Sequence, residues 1–184
     1  ARLAMDIVLE TLKENNALEP IVLVVCGKKS AYVSKDIPDD VFRIVKFYYP
    51  SIKKLERLGD VANQEDEIFK FALTFSNIGI EEKLAALEEV LADQMIPVSS
   101  GHGDIDLIIP GVHKANGLAK LSNEWGIAPT EIAAFGDSGN DIEMLEYAGL
   151  RYAMENAQEK AKQASKEVIG QNNQEGVLEM KEQL

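Results

Sequence analysis

From Lys114 onward the chain alternates between apolar runs short enough to be strands and segments whose apolar residues recur at helical spacing. Leu118, Leu121 and Trp125 fall on one helix face, Ile132–Phe135 is a continuous apolar run, and Ile142, Leu145 and Ala148 mark the next helix. Leu150–Met154, the series Ala157, Ala161 and Ala164, the run Glu167–Ile169 and a terminal helix over 174–184 complete the pattern. Strands apolar on both sides must be covered on both faces, and strands separated by helices are joined by crossovers. This half therefore predicts a mostly parallel α/β sheet. In such sheets ligands bind beyond the carboxyl ends of the strands, so the turns after each apolar run are where chemistry is expected.

The first part of the chain reads differently, as a mixed α+β unit. A helix is predicted over 5–16, strands at 21–26 ("IVLVVC") and 31–33 ("AYV"), and a helix from Asp39 to Pro50 with Val41, Ile44 and Val45 as its apolar face. Residues 59–66 are polar, and "EIFKFALTF" (67–75) follows as a strand. A helix over 80–94 and two strands, "IPVSS" and "DIDLIIP", lead into the second half. The expected division is into 1–103, an α+β unit, and 104–184, an α/β unit.

Composition narrows the function classes. With 184 residues, 46% apolar and 27% charged, the chain is an ordinary globular sequence with enough length for a core. A net charge of −12 argues against a nucleic-acid surface, which needs a clustered basic face. No apolar run approaches the roughly 18 residues of a membrane span, and no signal-peptide pattern opens the chain, so the cytoplasm is the expected compartment. Cys26 is the single cysteine; following "IVLVV", it reads as a buried small hydrophobe. The chain opens inside a helical pattern and without a methionine, so an N-terminal portion is expected to precede it.

The segment "AAFGDSGNDIEML" (133–145) concentrates the chemistry. Asp137, Ser138, Asn140 and Asp141 crowd around Gly139 where a strand gives way to a helix, more polar groups than a cap or tight turn requires. Asp137, the first polar side chain past the strand, is placed to ligate a hard cation from the sheet edge, with Asp141 as a second candidate ligand. An EF-hand calcium loop is excluded, because the twelfth position counted from Asp137 is Ala148 rather than a glutamate. Lys114 stands at the preceding strand-to-helix turn, where a lysine can reach a phosphoryl oxygen or restrain a carboxylate. An ordinary capped turn and a solvated lysine are the plain readings of each motif alone. Parallel neighbouring strands would bring the two turns to one edge.

Other candidates are weaker. His102, in "SSGHGDID", lies near the presumed junction and could touch substrate, although a hinge or surface histidine is the plainer reading. His113 reads as solvent-facing or backbone-bonding. Two histidines without H-x-x-x-H spacing do not make a zinc site. Ser99 and Ser100 lack the G-x-S-x-G elbow of a serine hydrolase.

"GVHKANGLAKL", "AAFGDSGNDIEMLEYAG", "YAMENA" and the late "NNQEGV" together resemble the haloacid dehalogenase-like (HAD-like) hydrolases, and within them the Cof-type phosphatases. The resemblance implies the C-terminal half of a HAD-like Rossmannoid α/β core over 104–184, with residues 1–103 as a large α+β cap. It implies that Lys114 contacts phosphate and nucleophile, Asp137 binds Mg²⁺, Asn140 contacts substrate phosphate and Asp141 organises the motif. Catalytic roles then fall to Lys114, Asp137 and Asp141, and substrate contacts to Lys114, Asn140 and His102. The family's nucleophile and general acid/base belong to a D-x-D motif ending the first core strand, and no such motif can be placed here. Asp104 and Asp106 match it by letters only, because an apolar strand continues past them.

The expected function is a Mg²⁺-dependent phosphohydrolase acting on a small phosphorylated metabolite through an aspartyl-phosphate, with this chain nearly inactive by itself. The alternatives are a non-catalytic phosphate-binding or protein-interaction module and, less in keeping with the long cap, a mutase of the same superfamily. Self-association is expected if half the core is absent, since unpaired strand edges would be exposed.

Overall fold

The computed structural model of the protein describes residues 2–14, 18–75, 79–91 and 94–184. It contains two compact units, residues 1–110 and residues 111–184. Among the described residues no helix is long and apolar enough to cross a membrane.

Among the described residues the first unit is built on six strands, β1 (Val22–Gly27), β2 (Ala31–Ser34), β3 (Ile52–Leu55), β4 (Ile68–Thr74), β5 (Ile96–Gly101) and β6 (Asp104–Ile108). Their order is β3-β2-β1-β4-β6-β5, with every pair antiparallel except β2 and β3. Among the described residues three α-helices accompany them, α1 (Arg2–Glu14), α2 (Asp39–Tyr48) and α3 (Ile80–Leu91). The expected ends of α1 and α3, at 15–16 and 92–93, lie outside the described residues.

Alternation along the strands sorts their side chains onto two faces. Val25, Phe71, Leu73, Ile105 and Leu107 pack with Val8 of α1 and with Leu87 and Leu91 of α3. Val22, Val24, Cys26, Ala31 and Val33 on the other face pack with Val45 of α2. Asp39 and Asp40 in the first turn of α2 complement its dipole, and Pro50 closes off further helix. Ile44, expected in the core, is exposed together with Phe47 and Tyr48, because α2 turns only its Val45 side fully onto the sheet.

Two features depart from the sequence expectations. Strand β3, "IKKL", was not expected, because two consecutive lysines break any alternation; it pairs in parallel with β2 as a sheet edge, where lysines are well tolerated. The division of the chain falls after Pro110 rather than between 103 and 104. The reason is hydrogen bonding: β6 pairs with both β4 and β5, so 104–108 belong to the first sheet. The β5–β6 turn carries Gly101, His102 and Gly103 at φ of 91°, 54° and 88°, and the two glycines make its left-handed run tolerable.

The second unit carries three parallel strands in the order β7-β8-β9, namely β7 (Ala133–Gly136), β8 (Leu150–Met154) and β9 (Glu167–Ile169). Four helices follow the predicted alternation, α4 (Lys114–Trp125), α5 (Ile142–Tyr147), α6 (Glu159–Ala164) and α7 (Gly176–Lys181). Its core is rich in alanine, with Ala134, Ala148, Ala153, Ala157 and Ala161 around Leu145, Tyr152, Met154, Ile169 and Met180. The expected apolar face of α4 is not the buried one. The helix buries Ala115 and Ser122, whose hydroxyl meets Tyr147 Oη at 2.9 Å, while Leu121 and Trp125 are exposed, Trp125 by 65%.

Candidate functional site

Strand β7 ends on Gly136, and the next five residues build the turn into α5. Residues Gly139–Asp141 form a single 3-10 turn whose last residue reaches back to the strand end. Asp141 Oδ2 accepts the backbone N–H of Asp137 at 2.9 Å and of Ser138 at 3.2 Å, satisfying donors that the strand has released. This closure brings Asp141 so near the strand that a Cβ on Gly136 would lie 2.6 Å from Asp141 Cβ. Glycine at 136 is therefore a packing requirement.

The other oxygen of Asp141 accepts a hydrogen bond from Lys114 Nζ, and Asn140 Oδ1 accepts a second from the same ammonium at 3.3 Å. Lys114 is the first residue of α4, where the positive end of the helix dipole disfavours a cation. The carboxylate opposite offsets that cost, and the lysine in turn offsets the burial of a carboxylate that is only 4% exposed. Both oxygens of Asp141 are thus engaged inside the protein. Asp137 differs: it is half-buried, and one of its oxygens accepts the Ser138 hydroxyl at 2.9 Å.

Lys114, Gly136, Asp137 and Asp141 line one cavity of about 450 Å³ beyond the carboxyl end of β7. Its remaining wall includes Asn172, Glu175, Val177 and Leu178, from the turn after β9 and the start of α7. Two hydrogen bonds tie these turns together. Asn156 Oδ1 accepts the Asn172 N–H at 3.3 Å, and the Asp137 carbonyl accepts the Gln158 N–H at 2.8 Å. Asn172 and Glu175 escaped the sequence reading as site residues; Glu175 has φ 59°, but nothing in the letters announces a left-handed glutamate. Among the described residues no three His, Cys, Asp or Glu side chains converge to hold a metal.

The remaining sequence candidates lie elsewhere. His102 sits exposed on the β5–β6 turn and lines a different cavity, within the first unit. Asp104 and Asp106 stand on β6 itself, at its first residue and its middle, and Asp106 pairs with Lys70 at 2.7 Å. His113, expected to face solvent or bond to backbone, is half-buried beside α4 with its Nδ1 unpartnered among the described residues. Cys26 is buried, and that burial pushes its thiol up despite the nearby Lys70 charge.

The sequence model of the haloacid dehalogenase-like hydrolases matches residues 2–180. The chain belongs to that family. Among similar HAD-like proteins, the 5-amino-6-(5-phospho-D-ribitylamino)uracil phosphatase YbjI of Escherichia coli is 46% identical over 171 residues, 92% of this chain. The 5-amino-6-(5-phospho-D-ribitylamino)uracil phosphatase YwtE of Bacillus subtilis is 33% identical over 148 residues, covering 79% of this chain and 51% of its own length. The crystal structure of SMU.1108c from Streptococcus mutans superposes with a TM-score of 0.87 at 26% identity, covering 98% of this chain and 66% of that one. The chain spans 62% of the length of YbjI. The HAD-like α/β fold is thereby established.

Proposed function

We propose that the chain is the larger part of a Mg²⁺-dependent phosphohydrolase that cleaves a small phosphate ester in the cytoplasm. The observation that carries this reading is the shared cavity, in which an ammonium and a carboxylate meet at the end of a parallel strand. Family membership and the phosphatase names of YbjI and YwtE support it. Their named substrate, a phosphoribitylaminouracil, is the first ester to test.

The donor chemistry fits part of a Mg²⁺ shell. That ion takes one or two carboxylates and completes its octahedron with water and substrate phosphate, and Asp137 offers an oxygen beyond the one Ser138 engages. Asp141, with both oxygens committed, is assigned to positioning instead. When bound, the ion neutralises charge on the phosphoryl group. Lys114 does the same from the protein side. Fixed against Asp141 and Asn140, its ammonium needs no reorganisation as charge develops on the phosphoryl oxygens. Because Asn140 uses its oxygen on Lys114, its Nδ2 remains as a donor to phosphate. Against a net charge of −12, these local donors are what make an anion welcome.

The attacking carboxylate is assigned to a polypeptide segment outside these 184 residues. Its oxygen bonds to phosphorus as the ester P–O bond breaks, the alcohol leaves with a proton from an acid on that same segment, and water, giving a proton back to that group, cleaves the aspartyl-phosphate to release phosphate and restore the carboxylate. The chain by itself should bind phosphate without turnover. Calorimetry with inorganic phosphate and Mg²⁺ should show binding that Asp137→Asn uncouples from Mg²⁺ and that Lys114→Ala weakens at least tenfold. The reading fails if Lys114→Ala leaves phosphate affinity unchanged. It also fails if a polypeptide of YbjI-like length releases no phosphate from any ester with Mg²⁺ present.

A further inference from the structure

On the α1 side of the first sheet the core stops short of the sheet's end. Val25 of β1 and its partner Tyr32 of β2 are fully buried there, and alternation puts Leu23 and Ser34 one step further along the same face. At that step the cover runs out. Leu9 and Leu12 of α1, Leu23 itself and Leu58 of the 3-10 turn Leu58–Asn63 are each only partly buried against that core. Ser34 places a short hydroxymethyl group where a larger apolar side chain would fill the space. What remains is a cavity of about 510 Å³, within the roughly 300–1,000 Å³ of small-molecule sites. It lies on the face opposite Val24 and Cys26, which pack with Val45 of α2.

The walls are stiff, and the charges on them have one sign. Pro20 and Pro38 both line the cavity, each with φ fixed by its ring. Asp36 is held by the turn between β2 and α2. Its N–H donates to Ser34 Oγ at 3.3 Å, the Ile37 N–H donates to the Ser34 carbonyl at 3.3 Å, and buried Ile37 anchors the turn. Glu19 is the second carboxylate, and among the described residues no lysine, arginine or histidine lines the cavity. Lys35, beside Asp36, is engaged by Glu56. The four leucines favour a hydrocarbon body, while the carboxylates attract a cation and repel an anion. Asp36 and Glu19 are exposed at the rim, so an ammonium can pair with them without shedding all of its water.

We propose that this cavity binds a small hydrophobic amine. The hydrocarbon body lies among Leu9, Leu12, Leu23 and Leu58, and the ammonium meets Asp36 and Glu19 at the rim. The site is independent of the phosphate cavity and does not rest on the hydrolase reading.

The test is a nuclear magnetic resonance titration of the full chain with tryptamine, cationic at neutral pH, beside the neutral tryptophol and the anionic indoleacetate. Saturable binding of tryptamine is expected, with shifts at the methyls of Leu9, Leu12, Leu23 and Leu58. Tryptophol should bind about threefold or more weakly, the size of an ion pair open to water, and indoleacetate more weakly again. Asp36→Asn and Glu19→Gln, both at exposed positions, should each bring tryptamine towards the affinity of tryptophol, and the double variant should erase the difference. Ile21→Arg, at a lining position 59% exposed, supplies a competing cation and should abolish tryptamine binding. Absence of saturable tryptamine binding to the wild-type chain overturns the proposal. So does equal affinity for the three compounds, or a preference for tryptamine that survives the double variant. Inorganic phosphate titrated into the same samples reads the other site, which keeps the two failures distinguishable.

Discussion

Asp137 and Asp141 lie four residues apart, yet their surroundings divide their work. Asp141 holds Lys114 and two backbone amides in place, so Asp141→Ala leaves two N–H donors without their acceptor and releases the exposed Lys114 ammonium. A loss of about 1–3 kcal/mol is expected in denaturant unfolding, the size seen when buried donors lose their acceptor. Asp137→Asn should cost under about 1 kcal/mol, since only the bond from Ser138 is altered. That variant should lose Mg²⁺-dependent phosphate affinity all the same. Equal destabilisation by the two substitutions would remove the distinction between positioning and ligation. Gly136→Ala, whose new methyl would press on Asp141 Cβ, is expected to destabilise by about 1–3 kcal/mol in the same assay.

Among the elements, the segment before β4 is anchored to the β1–β2 turn by one carboxylate. Asp66 accepts the N–H groups of Lys29, Ser30 and Glu67 and the hydroxyl of Tyr32 at 2.8 Å. Burial pushes its carboxyl up, but the Tyr32 bond and the three amides together outweigh this and hold it below the ordinary value. A depressed folded value means that the stabilisation is present above the unfolded value and is lost as pH falls through the folded one. Thermal unfolding between neutral pH and acid should therefore show Asp66→Asn less stable at neutrality and flatter below about pH 4. Parallel profiles for variant and wild type would contradict this. The Tyr32 hydroxyl, desolvated and bonded to Asp66, is in turn pushed up to about 12. In the same core as Tyr32, α3 is held by fully buried Leu87, and Leu87→Ala should cost about 2–5 kcal/mol.

At the scale of the whole molecule, each unit has its own core, and the second keeps an incompletely covered surface. On the side of β7 away from β8 no strand pairs with it among the described residues, and α4 leaves Leu121 and Trp125 exposed. Unpaired edges and apolar faces of this kind promote association. Sedimentation of the 184-residue chain is expected to show concentration-dependent self-association that Trp125→Arg reduces. A monomer at every concentration would show that these surfaces do not self-associate.

The sequence by itself determined the alternation of the second unit, the mixed character of the first, and the crowding of Asp137, Ser138, Asn140 and Asp141 into one strand-to-helix turn. Those features are legible because hydrophobic period and turn chemistry are local: a continuous apolar run followed by small acidic residues has few structures open to it. Tertiary structure alone decided which surface each element would bury. Ala115 and Ser122 went inward on α4 while Leu121 and Trp125 stayed out, because burial is set by what packs opposite and not by hydrophobicity alone. The same reason placed β6 in the first sheet, recruited the lysine-rich β3, and brought Asn172 and Glu175 to a cavity more than thirty positions from Asp137 in the chain. Contacts of that kind are made between turns that share no local pattern, so only the folded sheet, by aligning its strand ends, puts them together.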